Sequence, residues 1–522
     1  FMHRNKKQQF LVPTEKFLKN KEEIIRLAEL FSPLAWPMLI EPRDWSPIHE
    51  GGYYLNDLTR CHDMVRRGVP LCVQGEIPYS FLNKIQKVKY RLNPFIVEIA
   101  KVLEEREIEV GKFRPVINHP EPPKPSNMDD EEARKAWRKE KAIACNKNAN
   151  EWRISCRTRM TMNCVREFEG KDYYVPWSFD YRGRAYPIPS FLTPQDTDFG
   201  KSLLQFADEA VDISEKWLAF QVATSYGLDK ATMEERLEWT RFNVSLVSAV
   251  ATNPVAFIAE WEGAEEPWQF LAACDEYYHC CIKLDRKTTS LPVATDATCS
   301  GLQILAGLAR DKSTATLVNV VPSDKPQDAY AKVAETALSL GIPTSVHPVW
   351  DRKCVKRTVM TIPYNAKPFS NRSYIKSALC EKGVEVDKDQ LTLIVASVRK
   401  AMNLIVPGPM SVMKWIETEV SKSIKHGADH VEWTTPSGFV VKQRIMKKKV
   451  ERLDLQLLGR CQLSVATDET NDVDLSRHKA ATAPNLIHSL DASLLHLAVR
   501  SFDEPIALIH DSVLSRCCDM DK

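Results

Sequence analysis

The stretch LPVATDATCSGLQ, residues 291–303, and the later ALIHDSVL, residues 507–514, decide how this chain is read. In the first, the apolar, β-branched run Leu291–Thr295 reads as a strand that ends on Asp296, with a helical pattern over 302–310. In the second, Ile506–Ile509 and Val513–Leu514 read as a short hairpin whose tight turn is His510-Asp511-Ser512. Each aspartate has an ordinary explanation. An Asp ahead of a helical run caps it, and an Asp at a hairpin tip suits the turn.

A third stretch lies between them. Arg352, Lys356 and Arg357 fall in a helical pattern over 351–364, with Arg352 and Lys356 at i and i+4 on one face and Tyr364 two turns beyond Lys356. Val355, Val359 and Met360 make the rest of that helix apolar. Arginine binds phosphate through a planar fork, and lysine supplies a mobile charge and a transferable proton. Two carboxylates and a cationic helix suit nucleotidyl transfer. That reaction uses a pair of Mg²⁺ ions ~3.5–4 Å apart, each needing only one or two carboxylates from the protein.

Composition narrows the field without choosing within it. With 522 residues, 44% hydrophobic and 27% charged, the chain has room for a large core and several subdomains. A net charge of +2 means that any nucleic-acid surface must be local. No stretch of about 18 apolar residues suggests a membrane span, and FMHRNKKQQF has no apolar core for a signal peptide. The 14 cysteines form no C-x-x-C pair, which argues for reduced thiols and against zinc.

Along the chain, 15–31 reads as an amphipathic helix. Residues 79–107 read as a longer one that Pro94 kinks or divides, with Lys84, Lys87, Lys89 and Arg91 on its polar face. RPVINHPEPPKPSN (114–127) reads as an extended linker. A basic helix capped by Asp129 or Asp130 follows, carrying Arg134, Lys135, Arg138, Lys139 and Lys141, a pattern equally compatible with a solvated charged face. Beyond 172 the pattern is mixed. Tyr173–Pro176 is strand-like, and 327–340, 388–403, 408–425 and 484–500 are helical. His430–Trp433 and Gly438–Gln443 are strand-like and flank a Thr-Pro-Ser-Gly turn.

Five blocks, in order, carry a family resemblance: WSFDYRGRAYPIPSF, TDATCSGLQILAGLARD, DRKCVKRTVMTIPYNAKPF, TAPNLIHSLDASLLHL and ALIHDSVL. Together they resemble the single-subunit, bacteriophage-type DNA-directed RNA polymerases, which are related to the mitochondrial enzymes. The resemblance implies a mixed α+β, mainly helical right-hand polymerase with a small antiparallel palm sheet. Residues 1–55 would be the remnant of an N-terminal domain and 56–165 the thumb. The palm would take 166–315 and 476–522, and the fingers 316–475. It implies that Asp296 and Asp511, assisted by the carbonyl of Ala297, hold two Mg²⁺ ions. Arg352, Lys356 and Arg357 would meet the triphosphate, Tyr364 and His488 would recognise the ribose, and Arg182 and Arg184 would face the template. Residues 438–465 resemble the hairpin with which these enzymes read promoter DNA. Gln443, Arg444, Lys447, Lys448 and Lys449 are its candidate readers, although non-specific phosphate attraction explains the lysines equally well.

Family A DNA polymerases share the Arg-x3-Lys-x7-Tyr pattern. They place a Glu where Gly301 stands, blocking a 2′-OH, and follow the second Asp with Glu where Ser512 stands. Both positions favour ribonucleotides. Two departures from the family remain: Asn365 follows the tyrosine where Gly is usual, and Ala219 stands where a helix commonly presents a lysine to the triphosphate. The resemblance further implies a monomer working on double-stranded DNA, RNA and NTPs, in a phage host's cytoplasm or alternatively in a mitochondrion. The chain would be a fragment that lacks most of the N-terminal domain and the C-terminal end, carrying the catalytic residues but initiating poorly from a promoter.

Overall fold

The structure, a computed structural model, describes residues 35–46, 50–54, 63–66, 73–127, 129–323, 326–455 and 461–522. The helix expected over 15–31 and much of the segment expected over 1–55 lie outside those residues. The described chain is mixed α+β and mainly helical, with its strands gathered in small two- and three-stranded sheets.

Helices begin where the sequence supplies a side chain for their unpaired N–H groups. Asp130 opens Glu131–Ile154, Asp351 opens Arg352–Thr361, and Asp387 with Gln390 forms a capping box on Lys388–Ile405. The expected helix over 79–107 is corrected in the same terms. Glu76–Gln86 ends before the strand Lys89–Leu92, and Pro94 opens a second helix, Pro94–Glu105. Proline fits the first helical turn because its missing N–H would be unpaired there. Asn93 Oδ1 accepts from Phe95 N and Ile96 N, at 3.1 and 3.3 Å. The intervening strand lies between Tyr173–Tyr174 and Leu204–Phe206, and that pairing overrides helical propensity.

Three of the four cations expected on the basic face at 84–91 are spent on internal partners. Lys84 donates to the carbonyls of Val499 and Arg500 and pairs with Asp503, Lys87 pairs with Asp44, and Arg91 pairs with Glu209. Residues 114–127 are extended, as expected, and lie along the following helices. Arg114 N donates to Thr158 Oγ1, His119 bonds Asn148, and Trp137 Nε1 donates to the carbonyl of Pro122. On the basic helix Glu131–Ile154 only Ala144 is buried, so Lys135, Arg138 and Lys139 face solvent.

The apolar interior formed by the described residues falls into three clusters. The largest surrounds Tyr90, Phe113, Trp177, Phe179, Trp261 and Trp268. A second joins the helices between 302 and 406 through Val333, Val355, Val359, Ile375 and Val398. A small third links them: Leu305, Ile416, Val420, Ala483 and Ile487. The helix Ser300–Ala309 belongs to two of these, with Leu302 and Ala306 facing the second and Leu305 the third. It is therefore fixed from both sides directly after Asp296.

Two boundaries differ from expectation in ways that bear on the site. The helix expected over 484–500 runs Leu475–Arg500, capped by Asp474, with Pro484 inside it and His478, Asn485 and Asp491 buried along it. At the chain's end the strands are Ile506–Ile509 and Ser512–Ser515, so the turn is His510-Asp511 alone and Ser512 belongs to the sheet. His510 takes φ +57°, which a two-residue hairpin turn requires.

The cap at residue 93 gives a test of the corrected boundary. Asn93→Ala leaves the N–H groups of half-buried Phe95 and buried Ile96 without their cap and is expected to lower unfolding free energy by about 1 kcal/mol in urea. No loss would mean that Pro94 alone sets the helix start.

Candidate active site

The strand Val293–Thr295 pairs antiparallel with Ser512–Ser515, Thr295 opposite Val513, and Ser512 Oγ donates to the carbonyl of Thr295 at 2.9 Å. That register brings Asp296 and Asp511 to the same edge of one three-stranded sheet. Burial holds the carboxyl of Asp296 above its ordinary pKa, and the neighbouring Asp511 adds to the effect. The N–H of Ala297, Lys230 and Lys201 act the other way. Two converging carboxylates that repel each other are a donor set suited to Mg²⁺, which takes oxygen ligands and needs few from the protein. No group of three or more His, Cys, Asp or Glu placed to hold a metal occurs among the described residues.

Beside the carboxylates lies a cationic flank. Arg352 opens the helix Arg352–Thr361, and Lys356 follows one turn later with no partner among the described residues. Both act electrostatically on Asp229, the ion-pair partner of Lys230. Arg357 lies about 100° further round the helix, its guanidinium over the ring of Tyr374, 4.4 Å from the centroid.

The other flank is aromatic. Tyr364 stands in the turn after that helix, its ring 4.9 Å from that of His488. A Cβ built on Gly301 would meet Tyr364 Oη at 3.1 Å and Cζ at 3.3 Å. Gly301 therefore makes room for the phenol itself, a role its sequence position did not reveal. Asn365 adopts φ +61°, as its tolerance of that region allows. Its amide donates to Glu417 Oε1 and to the carbonyls of Lys479 and Ala480, tying the tyrosine's turn to the long helix 475–500. His488 Nδ1 lies 2.5 Å from Arg182 Nη1. A guanidinium can only donate, so Nδ1 accepts and Nε2 carries the proton. Burial, together with Arg184, Arg182 and His510, lowers the imidazole to about 3 and keeps it neutral.

Arg182 and Arg184, expected to face the template, each have internal partners. Arg182 is held by Asp180 Oδ2 through Nε and Nη2, at 2.8 and 2.6 Å. Arg184 forms a two-pronged pair with Asp491, its Nε donating to Oδ1 at 3.0 Å and its Nη2 to Oδ2. Burial and Asp511 hold the Asp491 carboxyl up at about 6 in spite of this pairing. Asp180 Oδ1 also accepts from the N–H groups of Arg182 and Arg184, which closes the turn. Both arginines are committed to building the site.

The DNA-reading hairpin also shifts. Gly438–Gln443 belongs to a separate hairpin with Val431–Thr434, and the projecting ribbon is Met446–Leu455 paired with Cys461–Val473. Gln443 is buried, its Nε2 lying 3.1 Å from His478 Nδ1 and donating to Thr482 Oγ1 while its Oε1 accepts from Asn485. Arg444 lies between Asp429 and Glu469, and Lys447 is 3.9 Å from Asp472. The acidic strand opposite partly neutralises the basic one. Lys448 and Lys449 remain exposed on the ribbon.

Lys230, Lys201, Asp180 and Asp491 escaped the reading of the sequence. Ala219, where the resemblance leads one to look for a lysine, is wholly buried in Glu215–Tyr226. Lys230 stands in the turn Gly227-Leu228-Asp229-Lys230 just after that helix, which Gly227 ends at φ +135°.

The family of the DNA-dependent RNA polymerases matches residues 211–522. The chain is 29% identical to DNA-directed RNA polymerase 3, chloroplastic, of Nicotiana sylvestris, over 93% of this chain and 53% of that protein. To the DNA-directed RNA polymerase of Enterobacteria phage T3 it is 27% identical, over 92% and 62%. To DNA-directed RNA polymerase 1, mitochondrial, of Arabidopsis thaliana it is 28% identical, over 93% and 53%. The chain thus spans about half the length of these plant relatives.

The histidines give a pH test. His488 and His496 stay neutral down to about 3 and about 4, chiefly through burial, whereas unfolded imidazoles titrate near 6.5. Protons therefore bind the unfolded chain first, and stability is lost as pH falls from about 6.5 toward 4. Asp491 acts oppositely, since its raised carboxyl adds stability as pH falls through about 6. Urea midpoints at pH 7.5, 6 and 5 are expected to fall less steeply in His488→Gln than in the parent; equal slopes would refute a buried neutral His488.

Proposed function

The chain belongs to the DNA-dependent RNA polymerase family, and we propose that it carries the catalytic centre for DNA-templated RNA synthesis, adding NTPs to an RNA 3′-OH with release of pyrophosphate. The observation that carries this reading is the pairing of Val293–Thr295 with Ser512–Ser515, which sets Asp296 beside Asp511 next to the helix of Arg352 and Lys356.

In this reading Asp296, Asp511 and the Ala297 carbonyl are the ligands for two Mg²⁺ ions. When bound, those ions lower the pKa of the attacking hydroxyl and neutralise charge on the phosphates. Arg352, Lys356 and Lys230 orient and neutralise the triphosphate, and Lys356 is placed to give a proton to the leaving pyrophosphate. Tyr364 and His488 select the sugar. The neutral His488, donating from Nε2, suits a ribose 2′-oxygen, and Gly301 keeps Tyr364 against it. The right-hand division belongs to the same proposal: thumb about 56–165, palm about 166–315 and 476–522, fingers about 316–475, with the DNA-facing ribbon at 446–473. Double-stranded DNA, RNA and NTPs are the proposed partners of a monomer. Phage origin, in a host's cytoplasm, is preferred, with the mitochondrion as the alternative.

A family A-like DNA polymerase is the second reading, disfavoured by Ser512 and by the placement of His488. Extension of an RNA primer on a preformed RNA–DNA scaffold with Mg²⁺ separates the two. NTPs are expected to be incorporated in preference to dNTPs, and a dNTP preference would overturn the sugar assignment. Scaffold binding without extension would leave a nucleic-acid-binding module. Asp511→Asn is expected to cost several orders of magnitude in rate with scaffold binding retained. Gly301→Ala pushes on Tyr364 and is expected to weaken NTP-over-dNTP selection more than it slows NTP incorporation. Unchanged selection would detach Gly301 from the sugar.

A further inference from the structure

We propose that Asp328 is a positioning residue that aims the guanidinium of Arg352 at an incoming triphosphate, with Tyr330 as the surface on which it rests. The proposal builds on the reading of Arg352 as a triphosphate ligand. Asp328 is the cap of the helix Ala329–Ser339, and its Oδ1 accepts from Tyr330 N at 2.9 Å and Ala331 N at 3.1 Å. Anchored by two backbone N–H groups, the carboxylate has little freedom to turn. Its other oxygen, Oδ2, accepts from Arg352 Nε at 2.5 Å.

The same guanidinium lies 5.2 Å from the centre of the Tyr330 ring. The Tyr330 hydroxyl interacts with Cys299, the residue that immediately precedes the helix Ser300–Ala309 and lies three residues after Asp296. The arginine is thus tied through two short links to the segment that carries a candidate metal ligand. Only its Nε edge is occupied by Asp328. Nη2 is buried and has no hydrogen-bond partner among the described residues. A buried guanidinium nitrogen without an acceptor is uncommon, and here it belongs to the fork that suits a phosphate's two oxygens. Flexible arginines lose rotamer freedom on binding. One whose Nε is fixed by a carboxylate and whose face rests on a ring has already lost it.

The opposite reading makes Asp328 a competitor that neutralises Arg352 and must be displaced. The two readings predict changes of opposite sign. Asn caps helices about as well as Asp, so Asp328→Asn can keep Oδ1 on the backbone while turning an NH₂ toward Arg352 Nε. The parent, Asp328→Asn, Arg352→Ala and the double variant are compared by NTP incorporation on the RNA–DNA scaffold and by binding of inorganic tripolyphosphate. Asp328→Asn is expected to raise KM for NTP about tenfold, with kcat little changed and thermal midpoint retained. In the Arg352→Ala background it is expected to add nothing. A lowered KM, or an equal rise with and without Arg352, overturns the proposal. If the parent extends no primer, the polymerase reading fails by itself, and the tripolyphosphate cycle still decides whether Asp328 acts through Arg352: coupling supports it, additivity refutes it.

Discussion

The site hangs on one strand pairing. Val293–Thr295 and Ser512–Ser515 come from segments 217 residues apart in the chain, joined by the bond from Ser512 to Thr295. Everything chemical follows from the two carboxylates that this register gathers at one sheet edge. Bringing like charges together in a half-buried place is unfavourable, and the surroundings answer with cations: Lys230 and Lys201 act on Asp296, and Arg184 on Asp511. These cations do not bring Asp296 back to its ordinary pKa, which burial, with Asp511 adding to it, still holds raised. Such residual frustration suits a centre whose last partner is a cation from solution.

Around that pairing, charged residues serve as scaffolding. Asp180 closes the turn that aims Arg182 and Arg184, Arg182 fixes the tautomer of His488, and Arg184 locks onto Asp491 of the long helix. A buried two-pronged arginine–carboxylate pair is geometrically exacting, and breaking one side strands the other. It therefore holds the helix in register with the sheet more strictly than apolar contacts can. Asn365 and Gln443 extend the same tactic, each tying a turn or strand to 475–500 through an amide.

Some of this was legible in the letters. The helices Arg352–Thr361, Lys388–Ile405 and Pro407–Lys425 follow their apolar periodicity, the hairpin strands near 506–514 their alternation, and Asn365 its tolerance of positive φ. The break inside 79–107 was visible as Pro94. That a strand would fill it was not, because Lys89–Leu92 becomes a strand only through partners at 173–174 and 204–206. Likewise Gln443 and Arg182 carry side chains typical of DNA readers, and only packing shows that their hydrogen bonds are already spent.

By itself, the sequence determined the order of the chemical blocks, the polar and apolar faces of the helices that carry them, and the family those blocks resemble. These are local or linear properties, written in spacing and residue type. Tertiary structure decided which cations remain free for a substrate, such as Lys356, and which are consumed in building the site, such as Arg184. It decided also that Gly301 shelters Tyr364 and that Asp328 grips Arg352. The physical reason is that a side chain's hydrogen-bonding and charge capacity is finite, and contacts across the chain settle where it is used.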